Sequence, residues 1–228
     1  MVEAKVTIAI MQESLVDSCA RESRRTYERI APVYDVLDAL YERSWKHSLR
    51  AELFRHASGR ILDVGVETGC NMPCYPPESD VVGIDLSQGM LKRARDRAAG
   101  LGRNVPLAQM NLLDLAFADH SFDTVVATFV LICLPTQLQL PALRELRRVC
   151  KPAGRLLILD YRLSSDPAIR MFMRCLSPWL RWVFGGRYVT NADGAVAEAG
   201  LRVRSRRAYR HEAVVELIIE PGPARVAA

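Results

Sequence analysis

The stretch Arg60-Ile61-Leu62-Asp63-Val64-Gly65-Val66-Glu67-Thr68-Gly69 decides the fold. Its first half, RILDV, reads as a short strand with apolar side chains on both faces, and GVETG reads as the tight loop after it. A strand buried on both faces belongs inside a parallel sheet covered by helices. The residues that follow repeat the pattern. Val81–Asp85 (VVGID) is a second strand, and Ser87 to Leu101 is a helix opened by a serine cap and closed by Gly100 and Gly102. Val105–Met110 is a weaker strand, and Phe122–Phe129 (FDTVVATF) is a continuous β-rich run. Gln137 to Cys150 is helical, stopped by Lys151-Pro152-Ala153-Gly154, and Arg155–Tyr161 (RLLILDY) is a fifth strand. Pro167–Phe184 interrupts the alternation, Ala192–Ala199 resumes a helix, and Leu201–Tyr209 and Ala213–Glu220 are closing strands. This order predicts an α/β fold, a doubly wound seven-stranded mostly parallel sheet.

Toward the N-terminus, Tyr27, Ile30, Val33/Tyr34, Leu37, Leu40 and Leu49/Leu53 recur at helical spacing from Ala20 to about His56, and Pro32 divides them. Residues 1–56 are read as an N-terminal extension and helical lid. Residues 57–228 are the core, with a helical insertion at about 164–190. The start, MVEAKVTIAIM, has no basic segment followed by a long apolar run, so it is not read as a signal peptide. No stretch reaches the roughly 20 apolar residues of a membrane span. A cytoplasmic protein, at most peripheral on the inner face of a membrane, is expected.

Half of the 228 residues are hydrophobic and 25% are charged, which suits a soluble domain. Six cysteines and four histidines are scattered, with only Cys70 and Cys74 close together. No metal site is expected, and the thiols read as small core residues in a reducing compartment. The net charge of +5 is uneven: residues 151–228 carry 13 basic and 7 acidic side chains, and the rest is nearly neutral. An anionic partner would therefore meet the C-terminal third. Nucleic acid is not expected, because no stacking aromatics interleave with the arginines of the penultimate strand.

In open α/β sheets ligands bind beyond the carboxyl ends of the strands, beside strand one. There the glycines of the first loop allow close backbone approach and free N–H groups meet a polar ligand. Asp85, twenty residues after Gly65, ends strand two, where a carboxylate can take both hydroxyls of a ribose. Asn111, after strand three, can bond an adenine edge. The combination predicts a nucleoside site.

At these residues the chain resembles the class I S-adenosylmethionine-dependent methyltransferases, which have a Rossmann-like fold. The matches are Ile61–Gly69, Gly83-Ile84-Asp85-Leu86-Ser87, Met90-Leu91, Phe122–Val126 and Glu145-Leu146-Arg147-Arg148-Val149-Cys150-Lys151-Pro152. Tyr27–Asp35 and Asn71-Met72-Pro73-Cys74-Tyr75-Pro76 make it most similar to the bacterial phosphatidylethanolamine N-methyltransferase type. Small-thiol S-methyltransferases and quinone C-methyltransferases belong to the same broad group. The resemblance implies S-adenosyl-L-methionine as cofactor. Gly65 and Gly69 would flank its methionine, Asp85 would hold the ribose, Leu86 and Met90 would sandwich the adenine, and Asn111 would read its edge. Glu67, Thr68, Leu112 and Thr128 complete the implied cofactor set. Glu67 stands where the family has a glycine. Its carboxylate either turns outward, faces the cofactor's cationic groups, or weakens cofactor binding. Asp160-Tyr161 replaces the acid-histidine pair that relatives often carry.

Tyr27 and Tyr34 on the lid and Tyr161 at the tip of strand five are the candidates for positioning a nucleophile, with simple packing over the cofactor as the alternative. Cys133 is read first as core. In Pro167–Phe184, Ile169, Phe172, Met173, Leu176, Trp179, Leu180, Val183 and Phe184 fall largely on one stripe and Arg170, Arg174 and Arg181 off it, while Pro178 bends or splits the helix. Such a segment either lies in a membrane interface or packs as a lid. Arg202, Arg204 and Arg206 line one face of the penultimate strand. They serve as edge protection or as a site for anionic head groups. The leading expectation is methyl transfer to an amine on a phospholipid head group, phosphatidylethanolamine. The alternatives are a small soluble thiol, amine or activated carbon, or a catalytically silent member of the fold. Oligomeric state is not legible.

Overall fold

The computed structural model describes residues 2–184, 186 and 192–222; within these, the side chains of residues 2–12, 38, 40, 41, 43, 183, 184, 192 and 193 lie outside the described ones. One seven-stranded sheet has the order β3-β2-β1-β4-β5-β7-β6. Its strands are β1 (Arg60–Val64), β2 (Asp80–Asp85), β3 (Leu107–Gln109), β4 (Phe122–Thr128), β5 (Cys150–Tyr161), β6 (Leu201–Tyr209) and β7 (Val214–Pro221). β1 to β5 are parallel, and β7 runs antiparallel between β5 and β6. The expected doubly wound, mostly parallel sheet is what forms.

The both-faces-apolar strands explain the layers. On β1, Leu62 and Val64 join a cluster with Leu143 and Leu146 of α5 (Thr136–Val149), while Ile61 joins a second with Leu91 and Ala94 of α4 (Gln88–Gly100). Each wholly buried aliphatic side chain stabilises the fold by about 1.5–3 kcal/mol. Truncating Leu146, which is 0% exposed, to alanine would cost about 2–5 kcal/mol through the cavity left behind. Ser87 caps α4 as expected, its Oγ accepting the Met90 N–H at 3.1 Å.

Three boundaries differ from expectation. The first helix, α1, runs Val2–Ile30 rather than starting at Ala20. No glycine or proline interrupts that segment, so nothing in it stops a helix. β5 starts at Cys150, directly after α5, so Lys151–Gly154 is already strand; a Cβ on Gly154 would lie 2.7 Å from the Asp123 carbonyl oxygen. The segment Pro167–Phe184 is one continuous helix, α6, through Pro178.

Pro32 ends α1 as expected, and α2 (Tyr34–Tyr41) follows. A π-helical turn (Glu42–Lys46) then leads into α3 (His47–Phe54), whose Leu53 and Phe54 are buried in the second core cluster. α3 is thus part of the core rather than of a lid. α7 (Ala192–Glu198) precedes β6. β6 is the edge strand, and its ladder is paired within the chain. Arg202 and Arg204 meet Glu220 at 2.8 and 2.5 Å, and Arg207 meets Glu52 at 3.2 Å. Arg202, Arg204 and Arg207 thus have counterions of the same chain beside them.

Candidate active site

The strand order reverses between β1 and β4, and a narrow crevice of about 80 Å³ opens beyond their carboxyl ends. Gly65, with φ +70°, turns the chain there; a Cβ on it would sit 2.8 Å from Val130 Cγ2, so the loop admits no side chain at that point. Asp85 ends β2 in the same crevice. Its two oxygens accept the backbone N–H groups of Glu67 at 3.0 Å and Ser87 at 2.8 Å. Burial pushes its pKa up to about 6 despite those bonds. Leu86, Asn111 and Leu112 complete the crevice, and Asn111 Oδ1 accepts the Leu113 N–H at 3.0 Å.

A second cavity, about 730 Å³, lies beside the first and shares Tyr27, Glu67, Phe129 and Cys133 with it. Its walls are chiefly aromatic and aliphatic, from Tyr34, Trp45, Tyr161, Met173, Leu176 and Leu180 among others. At the junction, Tyr27 Oη and Cys133 Sγ are 2.9 Å apart. Burial and the neighbouring Cys133 hold the Tyr27 phenol well above its ordinary pKa, and burial pushes the Cys133 thiol up to about 12. Both groups are therefore neutral at physiological pH, which excludes Tyr27 as a resting phenolate base.

Phe129, at φ +57°, is a non-glycine residue in the left-handed region, strained by about 1–2 kcal/mol. Two cations flank it: Lys46 Nζ stands 4.9 Å and Arg50 Cζ 5.1 Å from its ring centroid. Lys46 is also 5.9 Å from the Tyr161 ring and is 5% exposed on the chamber wall. Arg50 is buried and donates to Asn71 Oδ1 at 2.5 Å and Thr128 Oγ1 at 2.7 Å. Glu42 at 3.3 Å and Glu67 at 3.7 Å balance its charge. Asn71 in turn donates to Asp63 at 2.8 Å, tying β1 to this network.

Of the residues expected to hold the cofactor, Gly65, Glu67, Asp85, Leu86, Asn111 and Leu112 line the crevice. Glu67 does not turn outward; it faces both cavities and pairs with Arg50. Four others stand elsewhere. Met90 is 0% exposed beneath Ile30, Ala31 and Tyr34, so the long helix α1 has claimed it. Thr68 donates to Asp35 at 2.6 Å, and Thr128 belongs to the Arg50 network. Gly69 makes room for Met72, whose Sδ would lie 2.9 Å from a Cβ there. Tyr27, Tyr34 and Tyr161 all line the chamber. Cys133 is a correction: it walls both cavities rather than filling core. Cys175 is exposed, against the reading of every thiol as core. Lys46, Arg50 and Phe129 were missed. Lys46 and Arg50 stand four apart in a segment whose apolar spacing drew the reading to Leu49 and Leu53.

Residues 61–154 match the family described as Methyltransferase domain. A ubiquinone/menaquinone biosynthesis C-methyltransferase from Syntrophotalea carbinolica is 30% identical over 209 residues, covering 84% of this chain and 87% of that protein. The chain belongs to the S-adenosylmethionine-dependent methyltransferases. S-adenosylmethionine is accordingly the cofactor of this methyltransferase. A phosphatidylethanolamine N-methyltransferase from Cereibacter sphaeroides is 35% identical over 139 residues, 60% of this chain and 66% of that one. Among solved structures, an S-adenosylmethionine-dependent methyltransferase from Clostridium acetobutylicum superimposes with a TM-score of 0.64 at 11% identity, covering 83% of this methyltransferase and 97% of that chain, a likeness of fold. No described helix of this methyltransferase is long and apolar enough to cross a membrane.

Proposed function

We propose that the enzyme methylates an amphiphilic acceptor whose apolar body fills the chamber and whose reactive end is an ionisable phenol or enol. The observation that carries this is the placing of Lys46 on a chiefly aromatic and aliphatic wall, against the Phe129 ring at the junction of the two cavities. The crevice suits the cofactor's nucleoside. Asp85 accepts backbone N–H groups from Glu67, Ser87 and Leu86, which leaves carboxylate lone-pair capacity for a ribose hydroxyl, and Leu86 and Leu112 offer apolar walls to the base. Asn111, its oxygen used by Leu113, retains its amide N–H groups for the base edge. The bound cofactor supplies a methyl group already activated on a sulfonium, so the protein's work is alignment and charge.

Lys46 is suited to hold the acceptor oxygen as an anion, which raises electron density at the neighbouring carbon. The cofactor, held by Gly65, Asp85, Leu86 and Asn111, would supply the methyl to that carbon, and the displaced ring or α-carbon proton would pass to water, restoring the enol system. Tyr27 and Cys133, both neutral, form the junction wall and set the approach. The relative named as a C-methyltransferase supports a carbon acceptor. An amine is the second reading, favoured by the Glu67 carboxylate on the chamber wall and by the phosphatidylethanolamine relative. An ammonium head group, however, would enter beside Lys46 and Arg210, with Glu67 already facing Arg50, and would add a further cation.

The test offers methyl-labelled cofactor with a long-chain alkylhydroquinone and phosphatidylethanolamine in the same mixed micelles. Label is expected in the hydroquinone; label in phosphatidylethanolamine would establish the amine reading.

A further inference from the structure

The helix α6 carries a broad apolar surface, of which only one part is turned into the protein. At about 100° per residue, Ile169, Met173, Leu176 and Leu180 share one arc. All four line the chamber, and Met173 is buried. Arg170, Arg174 and Arg181 occupy the next arc. Met171, Phe172, Trp179 and Trp182 fill the third, with 61%, 65%, 55% and 67% of their surface exposed. Phe172 and Trp179 lie at the border of the first and third arcs and also line the chamber, so the exposed face begins at the chamber's rim.

A second element adds to this surface. Val33, Val36 and Leu37 are 48%, 77% and 42% exposed, and Leu37 lines the same chamber. Monomeric proteins seldom leave such a run of large apolar side chains in water. Beside it, Arg29, Arg174 and Arg181 line a shallow groove between α1 and α6, with Trp182 at its side and Glu22 as its one acidic residue among those described. Arg29 stacks over the Trp182 ring at 5.1 Å and donates to the Trp182 carbonyl at 2.5 Å. This fastens α6 to α1 and holds the ring outward. Exposed tryptophans with arginines on the adjoining arc suit the boundary between acyl chains and anionic phosphates.

We propose that this face docks the enzyme on an anionic phospholipid bilayer, so that the chamber mouth opens toward the lipid. The arginines set the preference for anionic head groups, and Met171, Phe172, Trp179 and Trp182 enter the interface. An amphiphilic acceptor then passes from bilayer to chamber without crossing water. The inference builds on the amphiphilic-acceptor reading, yet vesicle binding is measured without turnover, so the two fail separately.

The experiment is flotation of the full chain with phosphatidylcholine vesicles and with equimolar phosphatidylcholine and phosphatidylglycerol vesicles, at low and high salt. Binding to the anionic vesicles alone, weakened by salt, is expected. The double variant M171S/W182S, whose residues lie outside the chamber lining, should lower the partition coefficient at least tenfold. R174E should lower it several-fold at low salt only. Both variants should turn over a short-chain, water-soluble hydroquinone as the unchanged enzyme does. Absence of binding to either vesicle, or binding indifferent to both variants, overturns the proposal. So does a dimer of the unchanged enzyme that M171S/W182S converts to monomer, since the face would then be covered by a second copy.

Discussion

Arg50 and Glu67 face each other at 3.7 Å beside the junction of the two cavities, with 1% and 10% of their side chains exposed. Glu67 holds this position from a backbone φ of +52°, the left-handed region where a Cβ is strained. The pairing explains how a carboxylate is accommodated where the two cavities meet: Arg50 draws it toward the chamber side.

Substitution separates the two effects. Glu67→Ala and Glu67→Gly both remove the carboxylate and leave Glu42 as the acid at 3.3 Å from Arg50. Each should destabilise the fold, by about 2 kcal/mol for alanine, less than for a buried charge stripped of every partner. Glycine relieves the strained φ and should retain about 1 kcal/mol more than alanine. Urea unfolding of both variants checks the order; equal stabilities would mean that Glu67 is not strained.

Asp85 should make cofactor affinity pH-dependent. In the proposed site ribose hydroxyls would donate to the carboxylate, whose pKa burial raises to about 6. Affinity for S-adenosylhomocysteine should be flat above that value and fall by up to tenfold per pH unit below it. Asp85→Ala should weaken binding at pH 7.5 at least tenfold, about 1.4 kcal/mol, and flatten the profile. Calorimetry between pH 5 and 8 reads both.

Stability should also vary with pH. Burial raises Asp160 from 3.8 to about 7, although it accepts N–H groups from Tyr161 and Ile132, and raises Asp85 to about 6. The folded chain therefore keeps these protons at pH values where the unfolded chain has lost them. Unfolding free energy should fall as pH rises from about 4 to about 7. At Asp35, hydrogen bonds from Thr68 and Arg93 outweigh burial and lower the pKa, so its contribution disappears as pH drops below 3.8. A stability maximum near pH 4–5 in denaturant titrations is the expected result.

Thiol labelling should find one fast cysteine. Cys175 is exposed on α6, whereas burial pushes Cys133 and Cys150 to about 12 and Cys74 to about 11, raises Cys70, and encloses Cys19. An aromatic disulfide reagent at pH 8 should react rapidly with one equivalent, and Cys175→Ser should abolish that phase. A second rapid thiol that Cys133→Ser removes would show that the Tyr27–Cys133 junction opens readily.

The sheet was legible because β1, β4 and the second half of β5 have apolar side chains on both faces, a signal that needs no tertiary knowledge. Gly65 and Asp85 were legible for the same local reason, being a turn and a strand end at a fixed topological position. The burial of Met90 was not legible, because its surroundings are set by α1 and the turn after it, and the extent of α1 depends on the absence of breakers rather than on a visible start signal. Lys46 and Arg50 were overlooked because their partners, Phe129, Asn71 and Thr128, are distant in sequence. The two apolar arcs of α6 looked like one stripe, since periodicity separates polar from apolar positions but cannot tell a chamber from solvent.

The most direct test of the acceptor assignment is the pH dependence of kcat/KM for an alkylhydroquinone in the unchanged enzyme and in Lys46→Met. If Lys46 holds the acceptor as an anion, the variant should lose about 10²-fold at pH 7. Its rising limb should also move up by more than one pH unit, and Lys46→Arg should restore the original limb in part. Superimposable limbs in Lys46→Met and the unchanged enzyme would contradict the account.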